Sequence, residues 1–192
     1  MTERFSATKE HILVRATELF MEKGYGATTV NEILLASDIA KGTFYHHFSS
    51  KEDLLSEVAD RIKEKYMSIL DSVAADPGLC ADEKFALIGK GIADVEETHW
   101  IHRELHQGDV EPALLFNVLR QSFEEALPKY AMIMEQGMED GTVRTPYPFT
   151  ASILLLILNI ISLHMDDGSI HELTHFRKAL LRYTDDSIQK ED

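Results

Sequence analysis

The sequence predicts an all-α fold of about nine helices: an N-terminal three-helix unit built around a helix-turn-helix, followed by a larger helical region. Three observations carry this. Apolar residues recur at helical spacing in segment after segment. Capping signals and glycine or proline breakers divide those segments into helices of ordinary length. No run of alternating apolar and polar residues lies between turn signals, so nothing argues for a sheet.

In order along the chain, Ile12, Ala16, Leu19 and Phe20 mark one face of a helix over residues 8–23, with Thr8 as its expected N-cap. Gly24 stops it, because glycine takes the left-handed conformation that closes a helix. Thr29-Val30-Asn31-Glu32 is a capping box, in which hydroxyl and carboxylate each satisfy an orphan backbone N–H. Val30, Ile33 and Leu34 face inward from the short helix it starts, and Ala36-Ser37-Asp38 forms the turn. A second short helix runs from Ile39 to about His46, anchored by Ile39, Phe44 and Phe48. Ser50-Lys51-Glu52-Asp53 repeats the capping logic and opens a long helix to about Ser72.

Asp76-Pro77-Gly78 is a breaker. Helices are expected at roughly 80–95, 97–106 and 111–139, with Pro128 kinking or splitting the last. A loop from Gly141 to Pro148 precedes two final helices at about 149–165 and 169–188, separated by Asp166-Asp167-Gly168.

Composition narrows the class. With 44% hydrophobic and 27% charged residues the chain is globular, not disordered. Cys80 is the only cysteine, so an internal disulfide is impossible and a reducing, cytoplasmic setting is expected. The N-terminus shows no basic-then-apolar signal pattern. The segment from Phe149 to Met165 is strongly apolar but carries Asn159, Ser162 and His164, and it falls short of the ~20 residues of a membrane span. A buried helix is expected there, with no membrane partner.

The net charge of −14 is unevenly spread. Residues 1–70 hold 9 Lys/Arg against 11 Asp/Glu, whereas residues 71–192 hold 10 against 22. The front of the chain is thus near neutral and can present a locally positive face, and the acid lies behind it. Two short helices joined by a tight turn can place the second in the major groove of a duplex. With the phenylalanines inward, Lys41, Gly42, Thr43, Tyr45, His46 and His47 fall on or near the outer surface. Lys41 suits phosphate or a guanine edge, Gly42 permits close backbone approach, and Thr43 and Tyr45 can donate to phosphate. Thr28, Thr29 and Lys51 lie beside helix N-termini, where backbone N–H groups also receive phosphates. Taken singly, Tyr45 and Phe48 read better as core and Lys41 as a solvated charge; the ordered set favours double-stranded DNA.

The set Leu19-Phe20, Gly24-Tyr25, Thr28-Thr29-Val30, Lys41-Gly42-Thr43-Phe44-Tyr45-His46-His47-Phe48 and Ser50-Lys51-Glu52-Asp53-Leu54-Leu55 resembles the tetracycline-repressor (TetR) family of bacterial transcription regulators. The resemblance runs from about Thr8 to Leu55. It implies a DNA-binding domain at 1–50, a helical ligand-binding and dimerisation domain at 51–192, and a homodimer joined through about 149–188. It also implies operator contacts by Thr28, Lys41, Thr43, Tyr45, His46 and Lys51, and release from DNA by a small-molecule effector. Three positions depart from the family pattern: Asp38 where glycine is usual in the turn, Ala40 where serine is common, and Leu34 where alanine is common.

The effector region is less legible. His99, His102 and His106 follow one helical face, with Glu96 and Trp100 near it. Such a row can line a polar pocket or ligate a transition metal. Phe116 and Phe123 are candidate pocket walls, and His164, His171 and His175 form a looser second group. The alternative reading is a histidine-rich metal sensor, or an enzyme using those histidines with Glu96 or Glu104 as acid–base groups. Against an enzyme, the chain carries no nucleophile motif, no phosphate-binding glycine loop and no zinc-protease signature. No cofactor and no metal are expected.

Overall fold

The computed structural model describes residues 2–95, 110, 112–162 and 167–183. They form eight helices and no strand: α1 (Thr2–Lys23), α2 (Val30–Ala36), α3 (Lys41–His47), α4 (Lys51–Ala75), α5 (Ala81–Ala93), α6 (Pro112–Glu139), α7 (Pro148–Ser162) and α8 (Asp167–Leu181). The helix expected at 97–106 lies outside the described residues.

Most boundaries follow from the signals above, and two do not. Thr8 is not an N-cap: α1 begins at Thr2, because nothing in residues 2–7 breaks a helix. Pro128 does not end α6, which runs from Pro112 to Glu139 with the proline on its exposed side. Proline removes one N–H bond there, but the helix is anchored on both sides, by Ala126 before the proline and by Tyr130, Ile133 and Met134 after it, all buried. Pro148 opens α7 at the first helical position, where its missing N–H costs nothing.

The chain divides into two compact units. The first holds residues 2–64, Val110 and the start of α6 as far as Leu119; the second holds Lys65–Val95 and the chain from Arg120 onward. The division differs from a boundary at 50/51 for a packing reason. Leu54, Leu55, Val58 and Ile62 of α4 are buried in the same core as Ile12, Ala16 and Phe20 of α1, Ile33 of α2, and Phe44 and Phe48. The later turns of α4 contribute Met67 and Leu70 to the second core, with Phe85, Ile88, Tyr130, Ile133, Met134, Leu155, Leu156 and Leu181. A helix of seven residues is marginal alone, so α2 and α3 depend on the phenylalanine core that α1 and α4 complete. Each large side chain buried there contributes roughly 1.5–3 kcal/mol.

The second unit contains two buried polar devices. Lys84 is almost fully buried, and its ammonium donates to Ala74 O (2.7 Å) and Gln136 Oε1 (2.6 Å), tying the end of α4 and α6 to α5. Asn159 Nδ2 donates to the Tyr130 hydroxyl at 2.5 Å inside the core. A Cβ at Gly89 would come within 3.0 Å of Asn159 Oδ1, so the missing side chain gives that amide room.

Candidate nucleic-acid interface

The helix-turn-helix is assembled by caps. Thr29 is extended, its hydroxyl accepts from Glu32 N (3.3 Å), and Glu32 Oε2 accepts from Thr29 N (2.8 Å). Lys23 also donates to the Glu32 carboxylate. The Lys23 bond first, and then the two Thr29 donors, hold the Glu32 carboxyl down at about 2. At the other end of α2, Ser37 N donates to Ile33 O and Ile39 N to Leu34 O. Between them Asp38 has φ 50°, the left-handed geometry expected of the residue that stands where the family has glycine. Leu34 is accommodated as a half-buried residue against the first core.

Ala40 caps α3 with extended backbone and no side-chain hydrogen bond, so the departure from serine leaves that helix start without its usual acceptor. Phe44 is fully buried and packs against Phe48, with ring centroids 5.7 Å apart. This fixes the roll of α3. Lys41, Gly42, Tyr45 and His46 are exposed, while Thr43 and His47 are half-buried. The Lys41 ammonium stands 5.8 Å from the Tyr45 ring centre. A Cβ on Gly42 would meet nothing within 4 Å, so the unit's own packing does not require glycine there. Burial, reinforced by the neighbouring His46 and Lys9, lowers the pKa of His47, which favours its neutral form.

Three of the expected contacts are placed differently. Thr28 is buried, and its hydroxyl donates to Gly24 O at 2.8 Å. Lys51 Nζ donates to Tyr25 O and Thr28 O, both at 2.9 Å, and lies 4.0 Å from the Tyr25 ring centre. Thr28 braces the 24–29 loop from within and Lys51 ties it to α4, together holding the start of α2 in place. Thr29 is exposed, but its hydroxyl is engaged in the capping box. Spacing places these three near helix starts; it does not say that two of them point inward.

Leu35 is 82% exposed on α2. The signal for it is the run Ile33-Leu34-Leu35-Ala36, which holds more apolar residues than one buried face of a seven-residue helix can use. An exposed apolar side chain beside α3 suits a thymine methyl group.

The effector candidates lie mostly outside the described residues: Glu96, His99, Trp100, His102 and His106 do, as do Glu104 and His164. Phe116 belongs to α6, where its side chain is outside the description, and Phe123 packs at the edge of the second core.

A helix-turn-helix with a buried aromatic spine and an exposed basic and aromatic face, carried by an all-helical chain, defines a class of DNA-binding regulator. Residues 12–58 match the family described as bacterial regulatory proteins, tetR family. The repressor DhaR of Mycobacterium sp. strain GP1 is 26% identical over 144 residues, 71% of this chain and 70% of that protein. The repressor KstR2 of Mycolicibacterium smegmatis is 28% identical over 148 residues, 72% of this chain and 69% of its own. The crystal structure of the reduced form of E. coli NemR shares the fold, with a TM-score of 0.71 at 18% identity over 91% of this chain and 95% of that one. The N-terminal segment thus matches the tetR family of bacterial regulatory proteins, and the fold is shared with a solved structure.

Proposed function

We propose that this chain is a TetR-family repressor that reads operator DNA through α3 and leaves it when a small molecule binds the second unit. One observation carries the DNA reading. Burial of Phe44 and Phe48 turns Lys41, Gly42, Tyr45 and His46 outward together on one short helix. Thr43, His47 and Thr29 flank that surface, and Thr28 and Lys51 act as positioning residues behind it. The acidic remainder of the chain restricts attraction for phosphate to this face and makes binding strongly salt-dependent.

Two half-sites one helical turn apart, ~34 Å, need two recognition helices. A homodimer through about 149–188 supplies them. Phe149 (63% exposed), Leu154 and Ile157 of α7 and Phe176 (50%) of α8 leave apolar surface of the kind an isologous interface covers. An effector that favours a conformer with the wrong half-site separation lowers DNA affinity by its differential binding energy. On this reading the protein is a cytoplasmic regulator and not an enzyme. Among the described residues no helix is long and apolar enough to cross a membrane.

Fluorescence anisotropy with a duplex from the chain's own promoter region tests the reading. Tyr45→Ala and Lys41→Ala should each weaken binding while leaving the thermal melt unchanged. Full affinity in both folded variants would refute the interface.

A further inference from the structure

At one end of the second unit, an open cleft of about 570 Å³ is lined by Cys80, Asp82, Gly141, Thr142, Arg144 and Arg182. Its size is that of a small-molecule site. Its two arginines are brought side by side by the backbone, since Arg144 N donates to Leu181 O at 2.7 Å. Asp82, the carboxylate of the lining, is already held by Arg177 Nε at 3.1 Å. The nearby carboxylates are engaged too: Asp140 accepts from Thr142 N and Oγ1, and Glu83 accepts from Cys80 N.

Among the described residues, neither the Arg144 nor the Arg182 side chain has a carboxylate within ion-pair distance. That sets them apart from Arg15, Arg61, Arg120 and Arg177, each of which has an acidic partner. Two like charges converging on one cleft repel each other, and an anion between them reverses the sign of the interaction. Guanidinium is also the side chain best matched to oxyanions, through paired N–H donors.

We propose that this cleft binds the carboxylate or phosphate group of a small molecule between Arg144 and Arg182. The site is independent of the DNA-reading face. Isothermal titration calorimetry on the full chain, at constant ionic strength set with sodium chloride, tests it with inorganic phosphate and, separately, benzoate. Saturable binding of either supports the site, and the probe that binds names the anion. Arg144→Gln with Arg182→Gln should weaken that binding at least about tenfold, while Arg120→Gln, whose partner is Glu124 on α6, should leave it unchanged. Both cleft arginines are exposed, so the double variant should keep the wild-type circular-dichroism melt; if it does not, Arg182→Gln alone serves. Absence of saturable binding by both probes, or wild-type affinity in the folded variant, would overturn the proposal.

Discussion

Lys41 and Lys51 begin consecutive helices, and each ammonium lies near a tyrosine ring. As sequence they are equivalent, basic residues in the first turn beside aromatic and hydroxyl-bearing neighbours. In the fold they are opposites. Lys41 is exposed, 5.8 Å from the ring of a tyrosine on its own helix. Lys51 reaches across to a loop and is held there by two carbonyls and a ring at 4.0 Å. One cation is available to a phosphate; the other is committed to shaping the surface that the first helps to form. Lys84 in the second unit repeats the second pattern, with its ammonium committed to Ala74 O and Gln136.

The largest effect that probes this inward–outward contrast comes from adjacent residues on α3. Phe44→Ala should cost about 3–5 kcal/mol, because it empties the centre of the first core. On a typical domain stability of ~5–15 kcal/mol that weakens or unfolds the unit, and DNA binding falls with it. Tyr45→Ala should change stability by no more than about 0.5 kcal/mol, yet remove roughly 1–3 kcal/mol of DNA affinity. Urea melts beside anisotropy titrations separate the two. Equal stability losses would mean that α3 is rolled differently from the arrangement described.

The two lysines come next. Lys51→Met should cost about 1–3 kcal/mol of stability, since two carbonyls lose a charged donor. It should weaken DNA binding while leaving the slope of log affinity against log salt unchanged. Lys41→Ala should leave stability alone and reduce that slope by about one. A reduced slope for Lys51→Met would return it to the phosphate contacts.

These comparisons also show what a linear reading can reach. The capping box at Thr29–Glu32, the left-handed Gly24 and Asp38, and the inward Phe44 and Phe48 were all legible, because local spacing and backbone chemistry determine them. The inward course of Lys51 was not, because its partners, the Tyr25 and Thr28 carbonyls, become neighbours only when α4 packs beside the 24–29 loop; that of Thr28 rests on how the loop folds back on Gly24 O, which spacing does not specify. The sharing of α4 between two cores was hidden for a related reason. Its apolar positions continue past Ile62 to Met67 and Leu70 without a break that would announce a change of partner.

A smaller effect follows from the start of α2. The Glu32 carboxyl is held at about 2 by Lys23 and Thr29, below its ordinary 4.5. A lowered folded-state pKa means that the ionised form favours the folded chain. The contribution is therefore complete above about pH 4.5 and is lost as pH falls toward 2. Glu32→Gln should flatten the fall in urea-melt stability across that window, and the same fall in the variant would show that another group carries it.

The finest test uses Gly42. A Cβ there meets nothing within 4 Å, and its backbone is helical, so alanine should raise stability by about 0.5–1 kcal/mol through helix propensity. If the groove wall approaches this point of α3, the same methyl group should lower DNA affinity. Stability and affinity would then move in opposite directions from one added carbon, as expected where a residue is chosen for what docks against it and not for its own fold. Gly42→Ala that gains stability and binds the duplex as tightly as the wild type would place the DNA backbone elsewhere along α3 and shift the contact surface toward Tyr45 and His46.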